Sequence, residues 1–301
     1  MERTIRTAVV GIGNMGTAHA SCLMRGDVPG MELAAVADIR ESRRAYAKEA
    51  FPGIAVLETL DQVLEEVRPE AVIIAVPHPK HVFLAEKVLK AGCHLLLEKP
   101  EDISVSRALE LNAIAEKTDK VFSMMFNQRT NPLFQKAREL VQSGALGALK
   151  RSTWIITNWY RTESYYRSGD WRATWKGEGG GVLLNQAPHN LDLWQWIVGL
   201  PSEVTAFTAV GKYHDIEVED EAQIFTRYAD GSVGVFLTTT GEYPGTNRLE
   251  IQGTQGKLVL EERTLKYWKV DGDEIEYRLH APETEPKPPV VYEEIRYPKG
   301  E

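Results

Sequence analysis

Residues 7–38, TAVVGIGNMGTAHASCLMRGDVPGMELAAVAD, decide the fold that is predicted for the first part of the chain. The apolar run at 7–12 is typical of a buried strand, 14–26 has the spacing of an amphipathic helix, and 32–38 is a second strand. Two strands joined through a helix are expected to lie parallel in one sheet, with a right-handed crossover. The stretch therefore predicts the first βαβ unit of a layered α/β domain.

Three glycines, Gly11, Gly13 and Gly16, stand between the first strand and the first helix in the pattern GxGxxG. Gly11 permits a tight turn, Gly13 lets the backbone approach a pyrophosphate, and Gly16 permits close packing of helix against strand. The start of the helix at Asn14 and Met15 offers backbone N–H groups to the phosphates. The motif is weak when it stands alone, but its position here predicts a dinucleotide-binding turn.

The second strand ends at Asp38, which Ile39 and Arg40 follow. A carboxylate at this position accepts hydrogen bonds from the ribose hydroxyls of NAD and repels the 2′-phosphate of NADP. Arg40, Arg43 and Arg44 leave the alternative open, because arginines can pair with that phosphate, although such residues commonly form a solvated helix face. We expect NAD to be preferred, with NADP as the second possibility.

The alternation of strands and helices continues through the first 123 residues. The segment AVIIAV at 71–76 is apolar throughout, which is typical of a parallel strand that is covered on both faces. Further strands are predicted at 94–97 and 120–125, and further helices at 40–50, 59–67, 79–91 and 104–118. Residues 1–123 are therefore predicted to form a Rossmann domain, a doubly wound parallel sheet covered by helices.

Beyond residue 123 the pattern changes. Helices are predicted at 132–143 and 185–198, and alternating Thr- and Val-rich segments follow, joined by short turns such as Asp230-Gly231. These segments, VTAFTAVG, EAQIFTRY, SVGVFLTTT, NRLEIQG and KLVLEE, predict an open, largely antiparallel sheet. Residues 124–281 are thus predicted to form an α+β domain. Residues 282–301, which carry five prolines, are predicted to be an extended or mobile tail.

The overall composition excludes several classes of protein. With 301 residues, 43% of them hydrophobic and 26% charged, the chain can form two domains with ordinary cores. A net charge of -8 argues against a nucleic-acid binder, and no apolar run reaches the ~18 residues that span a bilayer. The two cysteines, Cys22 and Cys93, form no CxxC pair, so neither a disulfide framework nor a cysteine-zinc site is expected. We expect a cytoplasmic protein.

One candidate catalytic group is Lys99, in the sequence Glu98-Lys99-Pro100 after the strand HLLL. It follows the carboxyl end of a parallel strand, where such folds bind their ligands. An ammonium group there can hydrogen-bond a substrate oxygen and stabilise alkoxide character during hydride transfer. The alternative is a surface lysine at a strand end. The Lys99-Pro100 peptide bond is a candidate for the cis form.

A second candidate site lies in GEGGGVLLNQAPHNLDLWQW. Its three consecutive glycines can pass close to a flat ring such as nicotinamide. Asn185, His189 and Asp192 have the spacing of one helical face, so that His189 can exchange a proton, Asn185 can orient a hydroxyl group and Asp192 can orient the imidazole. The alternative is structural, with Asn185 as the N-cap of a helix whose third position is Pro188.

The stretch TNWYRTESYYRSGDWRATW, which precedes the glycines, supplies candidate substrate contacts. Aromatic faces suit the C–H faces of a sugar, and polar side chains suit its hydroxyl groups. We select Tyr160, Arg172 and Trp175, although core or interface roles are the alternative for such aromatics. His78 and His81 lack carboxylate or cysteine companions, so no metal site is expected.

The joint pattern of GIGNMG, AVPHPKH, AGCHLLLEKP and GGGVLLNQAPHNLDLWQWIVG resembles the Gfo/Idh/MocA oxidoreductase family, over about residues 5–260. The resemblance implies hydride transfer between NAD or NADP and a secondary alcohol or ketone of a sugar, an inositol or a sugar derivative. It assigns Lys99 and His189 to the catalytic positions and His81 to the start of a helix. Beside the glycine turn and residues 38–40, the cofactor is then expected to contact Val76, Pro77, His78, His81, Glu98, Lys99, Pro100 and Asn127.

One departure from the family pattern is Asn185, because many members carry aspartate there. Without this carboxylate a proton relay through residue 185 is lost, and the general base is either Lys99 or His189. The substrate is expected to contact Lys99, Tyr160, Arg172, Trp175, Asn185 and His189. The resemblance also implies a homodimer or homotetramer formed through the C-terminal sheet. Two other functions stay open, a regulatory protein that binds NAD(P) without turnover and an enzyme that uses transient oxidation to cleave glycosides.

Overall fold

The computed structural model describes residues 3–282, 284 and 287–296. The chain divides into two compact units. The first extends to Met125 and also includes Lys176–Gly179, and the second comprises Phe126–Trp175 and the residues from Gly180 onward. From the sequence, the division was predicted after residue 123, with residues 176–179 in the second domain.

The first unit is built on a six-stranded parallel sheet with the strand order β3-β2-β1-β4-β5-β6. This is the order of a doubly wound nucleotide-binding fold, so the predicted fold class is confirmed. The strands are β1 (Ile5–Val10), β2 (Met31–Ala37), β3 (Ala55–Leu57), β4 (Ala71–Ile74), β5 (His94–Leu97) and β6 (Phe122–Met124).

Helices cover both faces of this sheet and close its core. They are α1 (Asn14–Arg25), α2 (Glu41–Ala50), α3 (Leu60–Gln62), α4 (His81–Lys90) and α5 (Val105–Ala115). On β4, Ile73 packs with residues of α1 and α2, whereas Val72 and Ile74 pack with residues of α3 to α5. Since successive side chains of a strand point to opposite faces, an uninterrupted apolar run is what this layering requires.

The first unit departs from the sequence prediction in two places. The edge strand β3 was not predicted, because a three-residue, partly exposed strand has too little apolar alternation to be recognised. The predicted helix at 59–67 is split into α3 and a π-helical turn, Val63–Val67. The other predicted strands and helices of this unit are present, the strand at 94–97 with its predicted bounds and the rest with shifted ends.

The second unit is built on an eight-stranded sheet with the order β14-β13-β12-β11-β7-β10-β9-β8. Its strands are β7 (Leu149–Ile156), β8 (Glu203–Val210), β9 (Glu219–Arg227), β10 (Val233–Thr239), β11 (Asn247–Gly253), β12 (Gly256–Glu261), β13 (Thr264–Val270) and β14 (Val290–Arg296). All neighbours are antiparallel except β7 and β10, which are parallel. The predicted open, largely antiparallel sheet is confirmed.

One face of this sheet is covered by helices and carries the core of the second unit. The helices of the unit are α6 (Pro132–Gln142), α7 (Glu163–Tyr166), α8 (Pro188–Val198) and α9 (Glu274–His280). Trp154 of β7 and Phe236 of β10 are fully buried and lie edge to face, and Trp194 of α8 packs on Phe236. The opposite face remains open, because alternate side chains of the same strands point away from the helices.

The central strand β7 was missed, because no strand was predicted between the helices at 132–143 and 185–198. Its buried positions alternate as Ser152, Trp154 and Ile156, so the signal was present but weakened by a buried serine. In the segment predicted to be an extended or mobile tail, Val290–Arg296 are extended and form β14, which pairs with β13. Residues 283, 285–286 and 297–301 of that tail lie outside the described residues. None of the helices in the described ranges is both long and apolar enough to cross a bilayer.

Candidate functional site

The glycine turn after β1 is fixed by close backbone contacts. Gly11 has a φ of +92°, and a Cβ added to it would lie 2.5 Å from the carbonyl oxygen of Ala75. A Cβ on Gly16 would lie 1.7 Å from the carbonyl oxygen of Gly11, in the same turn. The requirement for glycine at these two positions is therefore set by the packing of α1 against the ends of β1 and β4.

Gly13 has a different reason to be glycine. No atom lies within 4 Å of a Cβ added to it, and its φ of -79° is open to any residue. Gly13 is also the N-cap of α1, and no side chain caps the helix. Asn14 and Met15, the first residues of α1, are exposed. Open space above a glycine next to an uncapped helix N-terminus suits a pyrophosphate, so the residues present fit the expected dinucleotide.

The carboxylate of Asp38, at the end of β2, braces this turn. It is buried, with Oδ2 accepting the backbone N–H of Ile12 at 2.9 Å and Oδ1 accepting that of Arg40 at 2.9 Å. Each carboxylate oxygen can accept a further hydrogen bond from a ribose hydroxyl. If Asp38 turned away to admit a 2′-phosphate, two backbone N–H groups would lose their acceptors, and this geometry favours NAD.

The nearby arginines are engaged by the protein itself. Arg43 donates to the carbonyl oxygen of Ile12 and, at 3.2 Å, to Thr17. Arg44 donates to the carbonyl oxygens of Asp38 and Ile39, at 3.0 and 2.8 Å. These two side chains are held by backbone carbonyl oxygens, whereas the side chain of Arg40 is 61% exposed and its Nε lies 3.4 Å from Oδ1 of Asp38. Ile39 is itself 77% exposed.

The segment Glu98-Lys99-Pro100 follows β5, as expected, and the Lys99-Pro100 peptide bond is cis. Glu98 is buried, and its Oε1 lies 2.8 Å from Nε2 of His19 on α1. Its Oε2 accepts the backbone N–H of Lys99 at 3.3 Å. Glu98 thus links the lysine segment to the helix of the glycine turn. His19 was missed in the sequence analysis, although it lies three residues after Gly16.

His81 joins the end of β4 to the same segment. Its side chain is fully buried, with Nδ1 2.7 Å from the carbonyl oxygen of Pro100 and Nε2 2.7 Å from that of Val76. Burial lowers the pKa of His81, against the opposing effect of these two carbonyls. Both ring nitrogens thus face backbone carbonyls, which gives His81 a positioning role, and its contact with the cofactor stays a prediction.

His78, which follows Val76 and Pro77 after β4, is likewise buried. Its Nδ1 lies 3.0 Å from the carbonyl oxygen of Glu178, in the part of the glycine-rich segment that belongs to the first unit. The rings of His78 and His81 are tilted, with centroids 5.8 Å apart. In residues 3–282, 284 and 287–296, no group of three or more His, Cys, Asp or Glu side chains is placed to hold a metal ion.

In the second unit the glycine-rich segment is shaped by β9. A Cβ on Gly181 would lie 1.9 Å from the carbonyl oxygen of Glu219. The carboxylate of Glu219 is buried and accepts the backbone N–H groups of Gly181 and Leu183 at 2.9 and 3.1 Å. The glycine at 181 is therefore required by the neighbouring strand, which is a local reason that the sequence analysis did not consider.

The predicted helix over 185–198 begins later. Residues Val182–Gln186 form a π-helical turn, Ala187 is the N-cap of α8, and Pro188 is its first residue, where a missing N–H costs nothing. Asn185 is therefore neither an N-cap nor a member of the α8 face that carries His189. The proline decided the helix start, because only the first turn tolerates it.

The hydroxyl of Tyr165 collects the polar side chains of this region. Arg172 Nη1 donates to it at 2.8 Å, Asn185 Nδ2 at 3.2 Å and Gln186 Nε2 at 3.3 Å. Two predicted substrate residues, Arg172 and Asn185, are thus brought together. Tyr165 and Gln186 were not selected from the sequence, because their importance depends on loop geometry rather than on spacing.

Asp192 does not orient His189. Its carboxylate binds Arg129, with Oδ2 accepting from Nε at 2.8 Å and Oδ1 from Nη2. His189 lies near the start of α8, edge to face with Phe126 at 5.9 Å between centroids. The role suggested for Asp192 in the sequence analysis was wrong, because Arg129 offered a bidentate partner that spacing could not reveal.

The remaining predicted contacts are on the surface. Tyr160 is 47% exposed and packs against Tyr243 with the rings tilted by 58° and their centroids 5.8 Å apart. Trp175 is 54% exposed, and its backbone N–H donates to Glu217 at 2.7 Å. Asn127, also exposed, begins a short 3₁₀ helix after β6. These three positions stay predictions.

The glycine turn gives a matched pair of variants. Gly16→Ala forces a methyl group against the carbonyl of Gly11, so we expect a loss of about 1–3 kcal/mol in the free energy of unfolding. Gly13→Ala meets no atom and should change stability by less than about 0.5 kcal/mol. It should nevertheless weaken NADH binding by about tenfold or more, because the methyl group fills the expected pyrophosphate space. Urea unfolding and fluorescence titration measure the two effects. Wild-type NADH affinity in Gly13→Ala would contradict this assignment.

The buried His81 predicts a pH dependence of stability. Its folded pKa lies below the unfolded value of about 6.5, so the unfolded state binds the proton first as pH falls. The stabilisation is therefore complete above about pH 6.5 and is lost as pH falls toward the folded pKa. We expect thermal unfolding temperatures to decline from pH 7.5 to 5.5 more steeply in the wild type than in His81→Gln. Parallel profiles would show that His81 does not titrate in this way.

Comparison with known proteins agrees with both units. Residues 5–126 match the model of an oxidoreductase family described as an NAD-binding Rossmann fold, and residues 134–259 match the GFO/IDH/MocA C-terminal domain. An uncharacterized oxidoreductase of Schizosaccharomyces pombe is 29% identical over 265 residues, which cover 85% of this chain and 70% of that protein.

Two further proteins have described activities or ligands. Myo-inositol 2-dehydrogenase of Thermotoga maritima is 26% identical, over 84% of this chain and 74% of its own length. The crystal structure of the WlbA dehydrogenase of Chromobacterium violaceum with NADH and UDP-GlcNAcA superposes with a TM-score of 0.80, at 28% identity, over 86% of this chain and 74% of that one. Two consecutive family domains in the expected order show that this chain belongs to the GFO/IDH/MocA family of NAD-binding oxidoreductases, which act on CH–OH groups.

Proposed function

We propose that this protein is a dehydrogenase or reductase of a sugar, an inositol or a sugar derivative, and that NAD is its preferred cofactor. When bound, the nicotinamide would accept a hydride from a carbinol carbon of the substrate or donate one to the corresponding carbonyl carbon. The observation that carries the proposal is the open, uncapped glycine turn beside a buried Asp38. Relatives that act on inositols and bind nucleotide sugars support the substrate class.

The first unit would hold the dinucleotide. The backbone at Gly13, Asn14 and Met15 would bind the pyrophosphate, and Asp38 would accept hydrogen bonds from the ribose hydroxyls. His81 lies within hydrogen-bonding distance of the carbonyl oxygens of Val76, which precedes Pro77, and of Pro100. Because it holds these two segments in place, they are suited to contact the remainder of the cofactor.

Three side chains would handle the substrate. Lys99 would polarise the reacting oxygen, His189 would exchange its proton, and Asn185 would hold a neighbouring hydroxyl group. The carboxylate of Glu98 accepts the backbone N–H of Lys99 and so fixes the position of the lysine backbone. His189 lies in the first turn of α8. Asn185 cannot ionise, so proton transfer is left to the lysine and the histidine.

Replacement of the two titratable groups tests the proposal. Lys99→Met and His189→Phe should each reduce turnover by about a hundredfold or more, since general acid–base and electrostatic contributions are of that size. NADH affinity should stay within about threefold of the wild type, because the remote binding interactions persist. Initial rates of NADH formation or consumption with inositols, aldoses and glycosides give the turnover, with NAD and NADP compared.

Lys117→Met serves as the control, because this lysine is exposed just after α5. Wild-type rates in Lys99→Met would remove the lysine from the mechanism. NADH binding without turnover of any substrate would instead indicate a regulatory protein. Release of an aglycone without net NADH formation would indicate redox-assisted glycoside cleavage.

We also propose that the open face of the second unit's sheet binds a second copy of the chain. Phe207, Phe225 and Val233 share that face by strand register and are 66%, 46% and 42% exposed. An exposed apolar patch on a flat sheet is typical of a subunit interface. In sedimentation velocity, Phe207→Asp should shift a dimer or tetramer to smaller species, while Leu200→Asp, at an exposed loop position, should not. A monomeric wild-type protein would disprove the interface.

A further inference from the structure

Two arginines of the second unit converge on one aromatic ring. The guanidinium carbon of Arg172 lies 4.4 Å from the ring centroid of Tyr165, and that of Arg161 lies 4.8 Å from the same centroid. Arg161 also lies 5.6 Å from the ring of Trp159, and Arg172 4.6 Å from that of Trp171. Like charges repel, so an anion bound between these two guanidiniums would relieve their mutual repulsion.

The hydrogen bonds of these guanidiniums leave most of their donors for a ligand. Arg161 donates from Nη1 to the carbonyl oxygen of Tyr160, and Arg172 donates from Nε to Ser168 and from Nη1 to Tyr165. The Nε of Arg161 is buried and has no acceptor among the described residues. A buried donor without an acceptor is costly, and a bound oxyanion would supply the missing acceptor.

Neither guanidinium forms an ion pair within the part of the chain that the structure describes. By contrast, Arg129 binds the carboxylate of Asp192 and Arg151 that of Glu250. Even the exposed Arg167, between the two arginines in sequence, lies 3.9 Å from Glu163. The positive charges of Arg161 and Arg172 are therefore not neutralised by a carboxylate among the described residues. Arg172 shares the Tyr165 hydroxyl with Asn185, which is expected to contact the substrate.

The backbone at Arg161 is fixed by contacts with His214 and, through it, with Asp220. Its carbonyl oxygen lies 3.0 Å from Nε2 of His214, whose Nδ1 lies 3.2 Å from the buried carboxylate of Asp220. Five residues after Arg161, Tyr166 is buried against His214 and donates its hydroxyl to Thr240 at 3.0 Å. These contacts fix the segment before any ligand arrives, which reduces the entropy cost of binding.

We propose that Arg161 and Arg172 form a subsite for an oxyanion carried by the substrate, a carboxylate or a phosphate ester on the sugar. Planar guanidiniums recognise both groups through paired N–H donors. Arg172 and Asn185 donate to the same Tyr165 hydroxyl, which couples the anion subsite to the residue expected to hold a substrate hydroxyl. The inference rests on the proposed function, and it narrows the substrate class from sugars in general to acidic sugars.

Matched ligands test this subsite in the NAD-loaded protein. Calorimetric titration compares D-glucuronate with D-glucose and D-galacturonate with D-galactose, pairs that differ in the carboxylate alone. Glucose 6-phosphate and galactose 6-phosphate form the phosphate arm. In at least one pair the anionic ligand should bind about tenfold or more tightly, and a rise in salt from about 50 to 500 mM should reduce only that difference.

Arg161→Gln should remove most of the preference while the affinity for the neutral sugar stays within about twofold. Arg172→Gln should lower the affinity for the anionic sugar more than that for the neutral one, which Arg172 is also expected to contact. Arg167→Gln is the matched control and should keep the preference. Thermal unfolding identifies a variant that has lost its fold. In that case the salt dependence of the wild-type preference tests the anion subsite without the variant. Equal binding within every pair, or no binding of any anionic ligand, would overturn the subsite.

The two proposals fail in different ways. If neutral sugars are turned over and no acid is preferred, the dehydrogenase assignment stands and the anion subsite is wrong. If an acidic sugar binds with the predicted preference but produces no change in NADH absorbance, the subsite stands and the proposed function fails. Which of the carboxylate and phosphate arms responds identifies the anion.

Discussion

The contact between Gly16 and Gly11 is the constraint on which the first unit depends. A helix that passes this close to the preceding turn leaves no room for even one methyl group. The close approach sets the N-terminus of α1 against the ends of β1 and β4, and it thereby leaves the space above Gly13 open. The position of the expected pyrophosphate therefore follows from steric exclusion at two neighbouring glycines.

Buried polar links connect this turn to the segment that carries Lys99. Glu98 reaches α1 through His19, and His81 reaches the carbonyl groups of Val76 and Pro100. The first link joins the end of β5 to α1, and the second joins the segments that follow β4 and β5, at the edge where such folds bind ligands. In the second unit Tyr165 plays the corresponding part, since three side-chain donors meet at its hydroxyl.

Much of the first unit could be predicted from sequence because its signals are local. Apolar runs, helix periodicity and glycine spacing are recognised within a few residues, and they predicted the strands and helices of a doubly wound sheet. The roles of Asp192 and Gly181 could not be predicted, since their partners Arg129 and Glu219 lie 63 and 38 residues away in sequence. The strand β7 was missed for a related reason: its pairing partners β10 and β11 come about 80 residues or more later, so no local hairpin marked it. The start of α8 was misplaced for a different reason: Pro188 was assigned to the third helical position, whereas it is the first residue of the helix.

The hydrogen bonds of Asp38 have a consequence for protein engineering. A change of cofactor specificity toward NADP is usually sought by removing an acidic residue at this position and adding a cation. Here the same carboxylate is the acceptor for two backbone N–H groups, one of them within the glycine turn. A redesign that deletes the charge must therefore introduce a neutral acceptor of similar reach, or the loop loses its shape together with its selectivity.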